Sequence, residues 1–216
     1  MWHGKGVYRP SSLREVPWYA HNRWASRGAS EWRKLVVRAT HRHCRVEFQG
    51  PVYLGPGFSL DIPGPGTFIV GSGVTFRRGF VCEISGDGRV EIGDGCTFTS
   101  HALIQCSTSI VIGPGCVFGQ SLSIVDGRHR FRDPDVPMLS QGYAFRPVRI
   151  EDGVTVMGKC TIVADVGRRA VIGAHSLVLD DVPAYTLAVG TPARPVEYFG
   201  HGDPPPGVRP SVPGAE

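Results

Sequence analysis

"VEIGDGCTF" (90–98) decides the fold, because the chain repeats it. "FIVGSGVTF" (68–76) precedes it and "IVIGPGCVF" (110–118) follows. A looser copy stands at "VRIEDGVTV" (148–156), and a fifth begins at "AVIGAHSLV" (170–178). Within the copies, apolar residues recur six apart: Val70/Phe76/Cys82, Ile92/Phe98/Ile104, Ile112/Phe118/Ile124, Ile150/Val156/Ile162 and Ile172/Val178. Val46/Val52/Phe58 reads as an imperfect first set. A six-residue phase fits neither a 3.6-residue helix nor a period-two hairpin meander. It fits a coil with three short flat sides, each sending one side chain inward. Copies start 20 or 22 residues apart, which is three hexads plus corner residues, except for one gap of 38. Fixed-period repetition of hexapeptides predicts a solenoid of the parallel β-helix kind. Gly71/Gly73, Gly93/Gly95 and Gly113/Gly115 fall where its corners belong, since glycine accepts the positive φ of a tight corner.

The chain has 216 residues, enough for one substantial domain, and its 29 glycines suit a turn-rich solenoid. The net charge of +4 is unevenly placed. Residues 1–45 hold ten of the 23 Lys and Arg, two of the 19 Asp and Glu, and all four tryptophans (Trp2, Trp18, Trp24, Trp32). That segment is a compositional unit apart from residues 46–198. In "SEWRKLVVRATH" (30–41), Trp32, Leu35, Val36 and Ala39 share one face of an amphipathic helix. Two roles suit it: a cap over the open end of the solenoid, or a basic, aromatic surface that meets an anionic membrane peripherally or a lipid-linked glycan. No nucleic-acid motif is present, so nucleic acid is not expected as a partner. "MWHGKGVYRPSSL" lacks the apolar run of a signal peptide, no stretch has the length of a membrane span, and a cytoplasmic location is expected. The six cysteines show no CxxC spacing and read as small packed side chains, so no metal is expected. The Pro/Gly-rich end, 199–216, reads as a mobile tail.

The 38-residue gap contains "SLSIVDGRHRFRDP" (121–134), where charges arrive together. Between Ile124 and Pro147 the hexads fail, and Pro134 and Pro137 stiffen a polar insertion. A solenoid accommodates this as a loop projecting from a corner (125–146), and such loops on a rigid scaffold often carry function. His129 is its candidate general base, because an imidazole can take a hydroxyl proton at neutral pH and return it to a leaving thiolate. The competing reading is an exposed loop histidine among arginines.

The repeats, the loop "IVDGRHRFRDP" and the ending "VLDDVPAYTLAVGTPARPV" (178–196) together resemble the hexapeptide-repeat acyltransferases, in particular the sugar O-acetyltransferases of the maltose, galactoside and exopolysaccharide kinds. The resemblance covers residues 46 to 198. It implies a left-handed parallel β-helix, a homotrimer with active sites between subunits, and acetyl-CoA as co-substrate. It implies direct acetyl transfer to a hydroxyl of a sugar or glycan precursor, with His129 as base. Gly158, Lys159, Ala174 and Leu179 match positions that border CoA, and Arg194 in "TPARPV" matches a cationic position near its adenosine phosphate. Thr99, Ser100 and His101 match the acceptor-facing coil, where His101 either orients the acceptor or is an ordinary edge residue. Asp126 and Arg128, flanking the base, are further substrate-binding candidates. Two departures stand out: Thr155 replaces the tryptophan many relatives carry, and "VADVGRRAVIG" (163–173) is shorter than the usual turn plus hexad.

Other readings compete. N-acetyl transfer or a longer acyl donor would use the same fold. A zinc hydratase of the γ-carbonic anhydrase type would need three histidines on one metal, for which only His101, His129 and His175 are available. A nonenzymatic trimeric scaffold would not need the histidine loop.

Overall fold

The computed structural model describes residues 12–20 and 25–211. Trp2 and Trp24 lie outside the described residues, as does the Trp18 side chain. The chain winds into coils whose short strands stack in parallel as three flat faces. The first face stacks Arg45–Phe48, Thr67–Val70, Arg89–Ile92, Ser109–Ile112 and Val148–Ile150. The second runs from Tyr53–Leu54 through Thr75–Phe76, Thr97–Phe98, Val117–Phe118, Thr155–Val156 and Val171–Ile172 to Thr186–Gly190. The third stacks Ser59–Asp61, Val81–Ile84, Leu103–Cys106, Ser123–Val125, Thr161–Ile162 and Leu177–Val178. Alternate residues of each strand point inward, which the burial pattern of Val81–Ile84 shows: Cys82 and Ile84 buried, Val81 and Glu83 half-exposed.

The hexad ladders become stacked columns. Phe76, Phe98 and Phe118 lie one above another, with ring centroids 5.2 and 4.5 Å apart. The paired glycines serve two purposes. Gly73, Gly95 and Gly115 have φ of 74°, 69° and 71°, which L side chains resist. Their partners are needed for close approach: a Cβ at Gly93 would lie 2.6 Å from the Pro114 nitrogen of the next coil.

Two ladder registers differ from the sequence reading. Phe48, Leu54 and Leu60 are the residues beneath Val70, Phe76 and Cys82. Val46 instead stacks under Phe68, because each face turns more than one residue inward and the periodicity carries two interleaved ladders. Ile172 does not lead a new copy. It pairs with Val156 on the second face, while Val166 bridges to Ile150 on the first. The last coils shrink to 16 residues (Thr155 to Val171 to Leu187), and the first face is reduced there to single bridges at Val166 and Val182.

The N-terminal helix Ser26–Thr40 is a cap. The first coil leaves its N–H and C=O groups without a neighbouring strand, and the helix and its exit supply partners. Ser30 Oγ accepts from the Leu54 N–H at 2.8 Å, and Arg33 Nη1 donates to the Leu54 carbonyl at 2.9 Å. His41 Nε2 meets the Leu60 carbonyl and His43 Nε2 the Ile62 carbonyl, at 3.1 and 2.6 Å. The face that docks carries Ser30, Lys34 and Val37, not the apolar stripe. Trp32 (67% exposed), Leu35, Val36 and Ala39 point outward. No described helix is long and apolar enough to cross a membrane.

The C-terminal end closes with an antiparallel hairpin of Thr186–Gly190 and Ala193–Tyr198. Beyond it, residues 199–211 fold back instead of forming the tail expected. Arg209–Pro210 pairs with Glu197–Tyr198, and the Ser211 N–H donates to the Tyr198 carbonyl at 2.7 Å. An outer strand with unpaired backbone groups recruits what chain is near.

Candidate functional site

The projecting loop leaves the third face after Ser123–Val125 and returns into Val148–Ile150 on the first. Its stem is a two-stranded hairpin, Gly127–His129 against Tyr143–Phe145. Both ends are fastened to the coils. Asp126, 3% exposed, accepts from the Ser107 N–H at 2.8 Å, the Thr108 N–H at 2.6 Å and Thr108 Oγ1 at 2.8 Å. The Cys106 thiol donates to it at 3.5 Å; burial, and then the Asp126 charge, push that thiol up to about 12. At the other end the Arg146 N–H donates to the Asp126 carbonyl at 2.7 Å. The Arg146 guanidinium reaches Asp181 at 2.6 Å. Burial pulls the Asp181 carboxyl upward, but the Asp165 N–H and Arg146 outweigh it and hold it below the usual range. At the tip, Gln141 binds the Asp133 and Val136 carbonyls at 2.9 and 2.7 Å.

Asp126 therefore anchors the loop to the coils, and it also borders the cavity beneath the loop. Asp126→Ala leaves the Ser107 and Thr108 N–H groups without a partner and should cost about 1–3 kcal/mol. Thermal melts should show that loss, with a smaller one for Asp126→Asn, which keeps an acceptor oxygen; an alanine variant as stable as the parent would contradict the anchoring role.

His129 lies in this hairpin, its ring centroid 4.3 Å from that of Tyr143. Nδ1 is enclosed with no hydrogen-bond partner, so a base at His129 has to work through Nε2. Tyr143 stacks in turn on Phe145 at 5.7 Å. The three rings overhang a cavity of about 470 Å³, closed on the coil side by Glu83, Ser85, Gln105 and Ser107. Gln105 Nε2 donates to Glu83 Oε2 at 2.8 Å, tying the two outward residues of adjacent strands into one polar floor. The sequence reading did not single out Tyr143, Phe145, Glu83 or Gln105. Glu83 and Gln105 occupy the same outward place in "VCEI" and "LIQC", and that shared place beside the loop was the available signal.

The remaining candidates lie elsewhere on the prism. Thr99, Ser100 and His101 turn the corner between the second and third faces, the opposite side of the third face from the loop stem. Lys159 in Gly158-Lys159 and His175, which follows Ala174, continue the same corner downstream through Gln120-Ser121. The Ser121 N–H donates to Ser100, that of Lys159 to Gln120, and that of His175 to Gly158. His101, Ser121, Lys159 and His175 all sit at φ near 60°, where earlier coils use Gly57 and Gly79. Gly119 must be small because a Cβ would strike Gly158; at Gly158 itself a Cβ meets nothing nearer than 3.4 Å. The fold thus requires Gly119 but not Gly158. Leu179 lies past Leu177–Val178 at the loop-side corner, 46% exposed. Arg194 pairs with Asp180 at 2.7 Å, an exposed ion pair of small energy that another anion could displace.

Within one chain, His101 and His175 are three coil steps apart, roughly 14 Å at strand spacing, and His129 is on the other corner. Among the described residues no group of three or more His, Cys, Asp or Glu is placed to share a metal. Cys96 and Cys116 are buried in adjacent coils, both donating to the Gly113 carbonyl, at 3.2 and 3.3 Å.

No family model matches the chain. A probable acetyltransferase of Mycobacterium tuberculosis is 32% identical over 97 residues, 44% of this chain and 32% of that protein. A serine acetyltransferase of Haemophilus influenzae is 35% identical over 94 residues, 38% of this chain and 35% of that protein. The chain thus spans about a third of the length of these curated relatives. Among solved structures, a hexapeptide-repeat acetyltransferase of Vibrio cholerae complexed with acetyl coenzyme A superposes with a TM-score of 0.52. That match is 22% identical and covers 88% of this chain and 92% of that one. What the chain shares with that structure is its fold, the left-handed parallel β-helix of the hexapeptide-repeat acetyltransferases.

Proposed function

We propose that the protein is an acetyl-CoA-dependent O-acetyltransferase that moves an acetyl group to a hydroxyl of a sugar or glycan precursor. The observation that carries this reading is the cavity under the loop, which sets His129 and two aromatic rings over a polar floor. A pyranose has apolar C–H faces and a hydroxyl rim. The first suits Tyr143 and Phe145, and the second suits Glu83, Gln105, Ser85 and Ser107. His129 Nε2 takes the proton as the acceptor oxygen bonds to the thioester carbonyl carbon. When the tetrahedral adduct collapses and the carbon–sulfur bond breaks, the imidazolium returns the proton to the CoA thiolate.

Gly158, Lys159 and Ala174 support the donor side. They form an open edge, and Gly158 leaves room for close approach that the fold itself does not use. Arg194 then exchanges Asp180 for a CoA phosphate. Donor edge and base lie on opposite corners of the third face, so one chain does not bring them together without a neighbour. A homotrimer in which one chain's loop meets the next chain's edge answers that separation. Light scattering at micromolar concentration should return the mass of three chains, and a monomer would remove the shared site. The activity is tested by offering acetyl-CoA with neutral sugars, amino sugars and L-serine, reading thiol release and product mass. Acetylation of L-serine alone would replace the sugar reading, and thiol release with no acceptor preference would end it.

A further inference from the structure

The loop hairpin has two sides, and the chemistry above uses one. Strand alternation pairs His129 with Tyr143 on the aromatic side and Arg128 with Ala144 on the other, and Arg128 borders the cavities on both sides. The Arg130 N–H donates to the Gly142 carbonyl at 3.0 Å, which carries the ladder one residue further, and Arg132 follows two places on. Arg128, Arg130 and Arg132 line a second cavity of about 330 Å³, together with Gln141 and Ala144, and His129 borders it. All three arginines are exposed, and none forms an ion pair among the described residues. The carboxylate at the rim, Asp133, already accepts from the Asp135 N–H at 3.0 Å. Three like charges gathered in a concave space repel one another and focus a positive potential there. The guanidinium is also the side chain whose fork geometry best matches a phosphate.

We infer that this cavity is a phosphate-binding site, and that the acceptor supplies the phosphate: a phosphorylated or diphosphate-linked sugar whose charged group sits among Arg128, Arg130 and Arg132 while its hydroxyl reaches His129. The acceptor assignment rests on the acetyltransferase reading. The other source of phosphate is CoA, whose phosphate the donor reading already gives to Arg194; the arginine cavity instead shares Arg128 and His129 with the cavity under the loop, which sets it beside the acceptor.

The test has a binding arm and a kinetic arm. Inorganic pyrophosphate, titrated calorimetrically, should bind the parent, and the Arg130→Gln/Arg132→Gln double variant should lose at least about tenfold in affinity. No binding to the parent, or equal binding to both, overturns the site. In the kinetic arm, pyrophosphate should compete with the acceptor. The double variant should also lower the preference for a sugar phosphate over its parent sugar, as a ratio of kcat/KM, by about tenfold. Competition with acetyl-CoA alone overturns the acceptor assignment and gives the arginines to the donor. If no acceptor is acetylated while pyrophosphate binding still depends on the arginines, the acetyltransferase reading fails and the phosphate site stands.

Discussion

His129→Ala should lower turnover about a hundredfold or more while leaving fold and acetyl-CoA affinity as they are. A hydroxyl that attacks a thioester must shed its proton as the bond forms, and a positioned base typically contributes about 10²–10⁴-fold to such a step. No other loop residue can take that role. Asp126 is buried and engaged by Ser107 and Thr108, Asp133 sits at the far rim of the arginine cavity, and the arginines stay protonated. The ring packs on Tyr143 in a projecting hairpin, outside the stacked core, so its removal should leave the coils intact. The measurement is thiol release at saturating acetyl-CoA, with melting temperature as the control for folding. His129→Asn, which keeps hydrogen-bonding capacity without basicity, should be similarly slow. Near-parent turnover in either variant would make His129 a surface residue and His101 the next base to test.

The coils were legible because a solenoid writes its geometry into the sequence at a fixed interval. Phe76, Phe98 and Phe118 announce a column, and Gly95 and Gly115 announce a corner, before any contact is known. Legibility failed where one period served two ladders. Val46, Val52 and Phe58 are six apart, yet they stack under Phe68, Val74 and Phe80 rather than under Val70, Phe76 and Cys82. It failed again where the coil shortened, so that Ile172 moved one face onward. The loop's existence and its histidine were readable from the broken rhythm. What the loop overhangs was not, because Glu83 and Gln105 lie more than 20 residues upstream of His129 and meet it only through the strand stack. The anchoring role of Asp126 was hidden for the opposite reason. It lies beside the base in sequence, but its side chain turns inward to tie two coils together.

Phe98→Ala should be among the most destabilising single changes in this chain, costing about 3–5 kcal/mol. The ring is fully buried, with Phe76 on one side at 5.2 Å, Phe118 on the other at 4.5 Å, and Phe80 edge-on at 5.2 Å. Deleting it removes apolar area from the core and leaves a gap that the coils cannot close. Coil spacing is set by backbone hydrogen bonds on both sides of the residue: Arg77 N–H to the Phe98 carbonyl at 2.9 Å, Thr97 N–H to Cys116 at 2.9 Å, and Thr99 N–H to Phe118 at 3.0 Å. A core that cannot collapse keeps the full cavity cost. The position also matters in a quasi-one-dimensional stack, where each coil is held mainly by its two neighbours and a break in the middle weakens both interfaces at once. Urea unfolding at fixed protein concentration reads the loss, since any assembly would couple stability to concentration. Phe98→Leu, which retains most of the volume, should lose clearly less than the alanine variant. An alanine variant within about 1 kcal/mol of the parent, the usual cost of an unremarkable substitution, would mean that the aromatic column is not what holds the middle coils together.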